Sequence, residues 1–115
     1  MSENDFRVGD CVRVNHGVLD PDFHVEIGGW QGRITQPTED GVILVAWDSV
    51  TLRNMGMELI TRCERENLDW RWTALNASEL SGAVRRDAEE DVSRVVAVIQ
   101  AKLLDDPSLK DIFGP

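Results

Sequence analysis

The chain has 115 residues, of which 42% are hydrophobic and 29% charged, and this composition is typical of one globular domain and excludes a disordered chain. Its net charge of −9 at pH 7 would repel a polyanion, and the basic residues are not concentrated in one stretch, so we expect no nucleic-acid partner. Residues 1–5 lack the features of a leader peptide and no apolar run approaches the roughly 20 residues of a membrane span, which predicts a cytoplasmic protein without a membrane partner.

The first predicted elements are a strand over residues 6–14 and a polar connection over residues 15–28. Val12 and Val14 alternate with Arg13 in the strand, which is the period of a half-buried β-strand. The connection holds two histidines and three carboxylates and is longer than an ordinary barrel turn. We therefore expect it to be a functional loop.

A strand pair is predicted next, joined by a turn at residues 37–41. Trp30 and Ile34 share one face of the first strand by alternation, and residues 42–47 form the second strand. Because this second strand is apolar at every position, something must cover both of its faces, either a helix of the same chain or a second copy. Trp30 and Trp47 are expected in the core.

One helix and a closing strand are predicted after the strand pair. The helix covers residues 51–66 with one apolar face, and it ends at Asn67, which can adopt the left-handed conformation. Residues 70–75 are predicted to be the closing strand of a barrel, with Trp70 and Trp72 on one of its faces. That face is either core or a partner groove.

The C-terminal region is predicted to form a second, longer helix over residues 84–104. Val92 and Ile99 belong to an apolar stripe at three- and four-residue steps along it. A helix of about 20 residues is roughly 30 Å long, more than a barrel of this size covers, so we expect the stripe to join two copies as a homodimer or else to seal the sheet. Asp106 and Pro107 are expected to cap a last short turn.

Several segments carry a resemblance to a known family: Val12-Arg13-Val14, Gly17-Val18, Asp20-Pro21-Asp22-Phe23, Gly28-Gly29-Trp30-Gln31-Gly32, Val45-Ala46-Trp47-Asp48, Thr51-Leu52, Met55, Arg62-Cys63-Glu64-Arg65 and Leu68-Asp69. They resemble small bacterial SH3-like barrel proteins of unassigned function, some of which are labelled calcium-binding. The resemblance covers residues 6–80 and implies the fold without implying a chemistry. The chain departs from the family pattern at Asn67, where glycine is expected, and at residues 24–27, where relatives tend to carry a second acidic or proline-containing turn.

Together these observations predict a mainly β fold with α additions. Residues 1–80 are expected to form a small SH3-like barrel with the inserted helix 51–66 before its closing strand. Residues 81–115 are expected to add the C-terminal helix and a short tail to the same single domain.

The acidic loop offers the metal-site candidate. Asp20, Asp22 and Glu26 lie within seven residues of each other, and such a loop could supply the oxygen ligands that calcium prefers. The spacing is not that of an EF-hand, and the competing interpretation is a turn in which the carboxylates accept hydrogen bonds from nearby backbone amides. Calcium is therefore an alternative to a protein without a cofactor.

The absence of a catalytic motif favours a binding protein over an enzyme. Neither Ser49 nor Ser78 lies in a nucleophile elbow, and no glycine-rich phosphate loop is present. We expect a non-catalytic module that binds another protein, with three aromatic residues and two positions of the helical stripe as the contact candidates. These candidates are Phe23, Trp70, Trp72, Val92 and Ile99. Calcium binding is the first alternative, and a nucleic-acid-associated module, disfavoured by the acidic charge, is the second.

Overall fold

The computed structural model describes residues 6–37 and 39–106, and within them it contains one five-stranded antiparallel sheet and three α-helices. The strands are β1 (Cys11–Val14), β2 (Gln31–Pro37), β3 (Val42–Trp47), β4 (Trp72–Asn76) and β5 (Leu80–Gly82). The helices are α1 (Ser49–Asn54), α2 (Met57–Arg65) and α3 (Glu89–Leu104). Short 3₁₀ turns lie at Glu39–Gly41 and Ala77–Glu79. None of the helices in the described part of the chain is long and apolar enough to cross a bilayer.

The sheet confirms a mainly β fold with added helices. Its strand order is β4-β3-β2-β1-β5, so that β1 pairs with both β2 and β5. Among the described residues no ladder joins β4 to β5, and the sheet is open. The predicted turn between β2 and β3 is present, although Thr38 lies outside the described residues.

The predicted closing strand is present with shifted bounds, but it does not close the sheet among the described residues. Residues 72–76, and not 70–75, form β4, and this strand pairs along β3 at one edge of the sheet. The last strand of the described residues is β5, which pairs with β1; the sequence did not predict it, because three residues are too few to show an alternating pattern.

The predicted helix over residues 51–66 is two helices. Gly56, between α1 and α2, has a φ of 86°, a left-handed conformation that a continuous α-helix does not contain. Asp48 caps the start of α1 by accepting a hydrogen bond from the Thr51 amide at 2.8 Å. The predicted left-handed residue after α2 is confirmed, since Asn67 has a φ of 58° and the next amide, that of Leu68, donates to the Cys63 carbonyl.

The C-terminal helix begins five residues later than predicted, at Glu89 instead of position 84. Val84 lies outside the helix and is 86% exposed. Val92 is half-buried against the core, and Ile99 is buried within the chain's own core, so Ile99 does not lie on a free surface of this chain. The predicted cap at Pro107 lies outside the described residues.

The core lies between the inner face of the sheet and the three helices. Trp47 is buried as predicted, whereas Trp30 is half-buried and packs edge-on against the Trp47 ring with 5.1 Å between the centroids. In β3, Ile43 and Val45 are buried, and the alternate residues of the strand are only half-buried. The outer face of β3 is therefore partly covered within the monomer.

Candidate functional site

The three predicted aromatic contact residues lie around one depression in the surface. A small cavity of about 30 Å³ is lined by Phe23, Trp70 and Trp72, and also by Asp20 and Asp22. It adjoins a hollow of about 280 Å³, and the two share Leu68, Asp69 and Trp70. We call the two together the aromatic cleft; its lining includes the five residues named first and Glu64, Asp69 and Arg71.

The two tryptophans of the cleft have different roles. Trp70 precedes β4, is buried, and donates a hydrogen bond from Nε1 to Glu64 Oε1 at 2.8 Å. Trp72 is the first residue of β4 and is 39% exposed. Trp70 is therefore a core residue at the floor of the cleft, while part of Trp72 is exposed to solvent.

Phe23 is held in the cleft by a turn that Asp20 stabilises. Asp20 Oδ2 accepts hydrogen bonds from the backbone amides of Asp22 at 3.0 Å and of Phe23 at 2.6 Å. An aspartate that accepts from the amide two residues later is a standard turn device. The loop sequence Asp-Pro-Asp-Phe thus positions an aromatic ring, half-buried against the core.

An arginine of the same chain lies over each of the two accessible rings. The Arg62 Cζ atom is 4.1 Å from the Phe23 centroid, and the Arg71 Cζ atom is 4.9 Å from the Trp72 centroid. Both distances are within the range of a cation–π interaction. The cleft therefore already binds guanidinium groups, supplied by its own chain.

Asp69 binds the Arg71 guanidinium group. Its two carboxylate oxygens accept from Arg71 Nε at 3.0 Å and from Nη2 at 2.8 Å, which is a bidentate ion pair. Burial raises the pKa of Asp69, but the hydrogen bonds and the charge of Arg71 outweigh it, so the pKa lies below its usual value. The same pair raises the pKa of Arg71.

The thiol of Cys63 lies near four carboxylates of the cleft. Burial and then the negative charges of nearby carboxylates raise its pKa to about 11. Those carboxylates belong to Asp20, Asp22, Glu64 and Asp69. Burial disfavours any charge at the thiol, but the carboxylates, which disfavour the thiolate as well, favour a cation at the exposed part of the cleft.

The three predicted metal ligands do not form one site. Asp20 and Asp22 lie at the cleft, whereas Glu26 Oε1 accepts from the Gly17 amide at 3.2 Å and lies 3.7 Å from His16 Nδ1. Within residues 6–37 and 39–106, no group of three or more histidine, cysteine or carboxylate side chains is arranged to hold a metal ion. Calcium binding stays a prediction, and the hydrogen bonds of Asp20 match the turn interpretation.

Sequence reasoning named Asp20 and Asp22 as candidate metal ligands, but it gave no role to the other charged residues of the cleft. Arg62, on α2, was noted only as part of a matching segment, and Asp69 and Arg71 flank Trp70 in the order acid, aromatic, base, aromatic. That alternation of charge and ring was the available signal. The partners of Arg62 and Asp69 in space could be known only once the loop at position 23 and the start of β4 were placed.

Comparisons with protein-family models, with curated proteins and with solved structures find no match to this chain. The function is therefore inferred from the geometry of the aromatic cleft and from its charges.

Proposed function

We propose that the protein is a non-catalytic binding module that holds a segment of a partner protein in the aromatic cleft. Trp72 carries this proposal, because a large ring that is 39% exposed at a sheet edge is the kind of surface that protein interfaces use. Phe23 and Trp70 line the same cavity, so the exposed ring belongs to a cluster and is not isolated.

We further propose that the open sheet is one side of a small SH3-like barrel. The meander from β1 to β4 and the return of β5 to β1 support this, since they bring the two edges of the sheet within the reach of the single 3₁₀ turn Ala77–Glu79. In such a barrel the aromatic cleft lies beside the edge strand β4, where an extended segment can approach the sheet.

A peptide-display selection tests the binding function. The immobilised protein is used to select from a library of random linear peptides, and the dissociation constants of the enriched peptides are measured by isothermal titration. We expect peptides whose affinity falls about tenfold or more for Trp72→Ala and for Phe23→Ala, because truncation of a central aromatic residue removes most of the contact energy of a small interface.

Val84→Ala is the matched control, since Val84 is an exposed apolar residue that does not line the aromatic cleft. It should leave the affinities unchanged. Selected peptides that bind Trp72→Ala and Phe23→Ala as tightly as the wild type would place the binding surface elsewhere. Failure to enrich any peptide would contradict the proposed function.

A further inference from the structure

We infer that the aromatic cleft accepts the guanidinium group of an arginine side chain from the partner protein, and that Arg71 occupies this place in the free protein. The inference rests on the proposed function, and it names the chemical group that the cleft recognises. It also makes Arg71 an internal competitor of the partner.

The surroundings of Arg71 form a complete guanidinium site. The Arg71 Cζ atom lies over the Trp72 ring, 4.9 Å from its centroid, and both oxygens of Asp69 accept hydrogen bonds from the guanidinium N–H groups at 3.0 and 2.8 Å. A flat ring and a bidentate carboxylate match the flat fork of an arginine, whereas the ammonium group of a lysine fits only the charge.

Arg71 can be displaced from this site. The side chains of Arg71 and Asp69 are 39% and 30% exposed, so an incoming guanidinium group can reach the carboxylate from solvent. The hollow of about 280 Å³ beside them is lined by Glu64, Asp69 and Arg71, which leaves room for a second side chain next to the first. The Arg71–Asp69 pair joins two residues of one short segment, so breaking it removes no link between separate elements of the fold.

The charge of the cleft favours an added cation. Asp20, Asp22, Glu64 and Asp69 contribute four carboxylates, and Arg62 and Arg71 contribute two guanidinium groups. The Asp22 carboxylate makes no hydrogen bond or ion pair with any residue that the structure describes. An incoming arginine therefore meets net negative charge, which attracts a basic segment and repels an acidic one.

The test uses three capped peptides that differ in one chemical group. Each has two identical residues spaced in a glycine–serine background, and these residues are arginine, lysine or citrulline. Binding to the full chain is followed by tryptophan fluorescence and by titration calorimetry. We expect the arginine peptide to bind about tenfold more tightly than the lysine peptide, and the uncharged citrulline peptide to bind still more weakly.

Two substitutions separate recognition from general attraction. Trp72→Ala should lower the affinity for the arginine peptide about tenfold, because the aromatic ring is lost. Arg71→Ala should raise this affinity several-fold, since the site is then vacant. Arg71→Gln should raise it in the same way and replaces the alanine variant if that variant does not fold. Arg94→Ala is the matched control, because it removes an exposed arginine from a comparable pair with Asp91 on α3; it should leave the affinity unchanged.

Weaker binding of the arginine peptide to folded Arg71→Ala and Arg71→Gln would overturn the inference, as would equal binding of the arginine and citrulline peptides. If display-selected peptides bind in a Trp72-dependent way while no arginine peptide binds, the guanidinium assignment is wrong and the proposed function stands. If neither kind of peptide binds, both fail.

Discussion

Asp87→Ala is expected to be among the most damaging single charge removals in this chain. The Asp87 side chain is 5% exposed and forms an ion pair with Arg33, whose side chain is 11% exposed. Its second oxygen accepts a hydrogen bond from the Ser49 amide at 2.7 Å, at the start of α1. One carboxylate thus holds β2, α1 and the segment before α3 together.

The expected cost follows from what the substitution leaves behind. Arg33 Nε is buried and has no hydrogen-bond partner among the described residues, so the guanidinium group already depends on Asp87 for most of its compensation. Removing one partner of a buried ion pair costs about 3–5 kcal/mol, because the other charge stays buried and unpaired. For a small domain with a total stability of about 5–15 kcal/mol, this is a large fraction.

Urea unfolding followed by tryptophan fluorescence measures the effect as a change in the midpoint at constant m-value. Arg94→Ala is the control, because the Asp91–Arg94 pair is exposed and its loss should change stability by less than about 1 kcal/mol. The double variant Arg33→Met, Asp87→Ala should be more stable than Asp87→Ala alone, since it removes the orphaned charge.

Two results would refute this reasoning. One is a loss of less than about 1 kcal/mol for Asp87→Ala, the range of an exposed pair. The other is a double variant that is no more stable than Asp87→Ala, which would mean that packing and not charge compensation accounts for the loss.

Three further expectations concern other parts of the molecule. Burial raises the pKa of Asp87, but its hydrogen bonds to Ser49 and the charge of Arg33 outweigh burial and hold the pKa below the usual 3.8. The stability that the Asp87 carboxylate contributes is therefore present above about pH 4 and is lost as the pH falls through the folded pKa. An acid titration of the urea-unfolding midpoint, compared with Asp87→Asn, checks this, and the same pH dependence in wild type and variant would contradict it. Gly32→Ala should cost about 3 kcal/mol or more in urea unfolding, because its Cβ would lie 2.2 Å from the Ala46 carbonyl oxygen, whereas Gly82→Ala meets no atom within 4 Å and should change little. Cys63, with a pKa of about 11, should react with iodoacetamide at pH 8 only after unfolding in urea, as mass spectrometry would show; rapid alkylation of the native protein would be inconsistent with its burial.

The sequence by itself determined the elements whose signals lie within a few residues of each other. The strand pair around positions 37–41 was visible because alternation, an apolar run and turn residues follow one another along the chain. The burial of Trp47 followed from the same alternation, and the left-handed Asn67 followed from the end of an apolar helical face.

The break in the helix at Gly56 and the late start of α3 were not evident from the apolar periodicity. An apolar face continues across Gly56, so the periodicity favoured one helix, although this glycine adopts a left-handed φ of 86°. The residues before α3 do not continue the helix because Arg86 forms an ion pair with Asp48, 38 positions earlier in the chain. Local helical preference is worth less than such a pair combined with the burial around it.

Only the tertiary structure decided the aromatic cleft. Phe23 lies far from Trp70 in sequence, and they became neighbours because the turn at Asp20 and the start of β4 pack on the same side of α2. Composition and alternation identify aromatic residues and the strand faces on which they lie, but they do not determine the distance between a loop and an edge strand. That distance is set by the register of the sheet and the seating of the helices, which are properties of the whole chain.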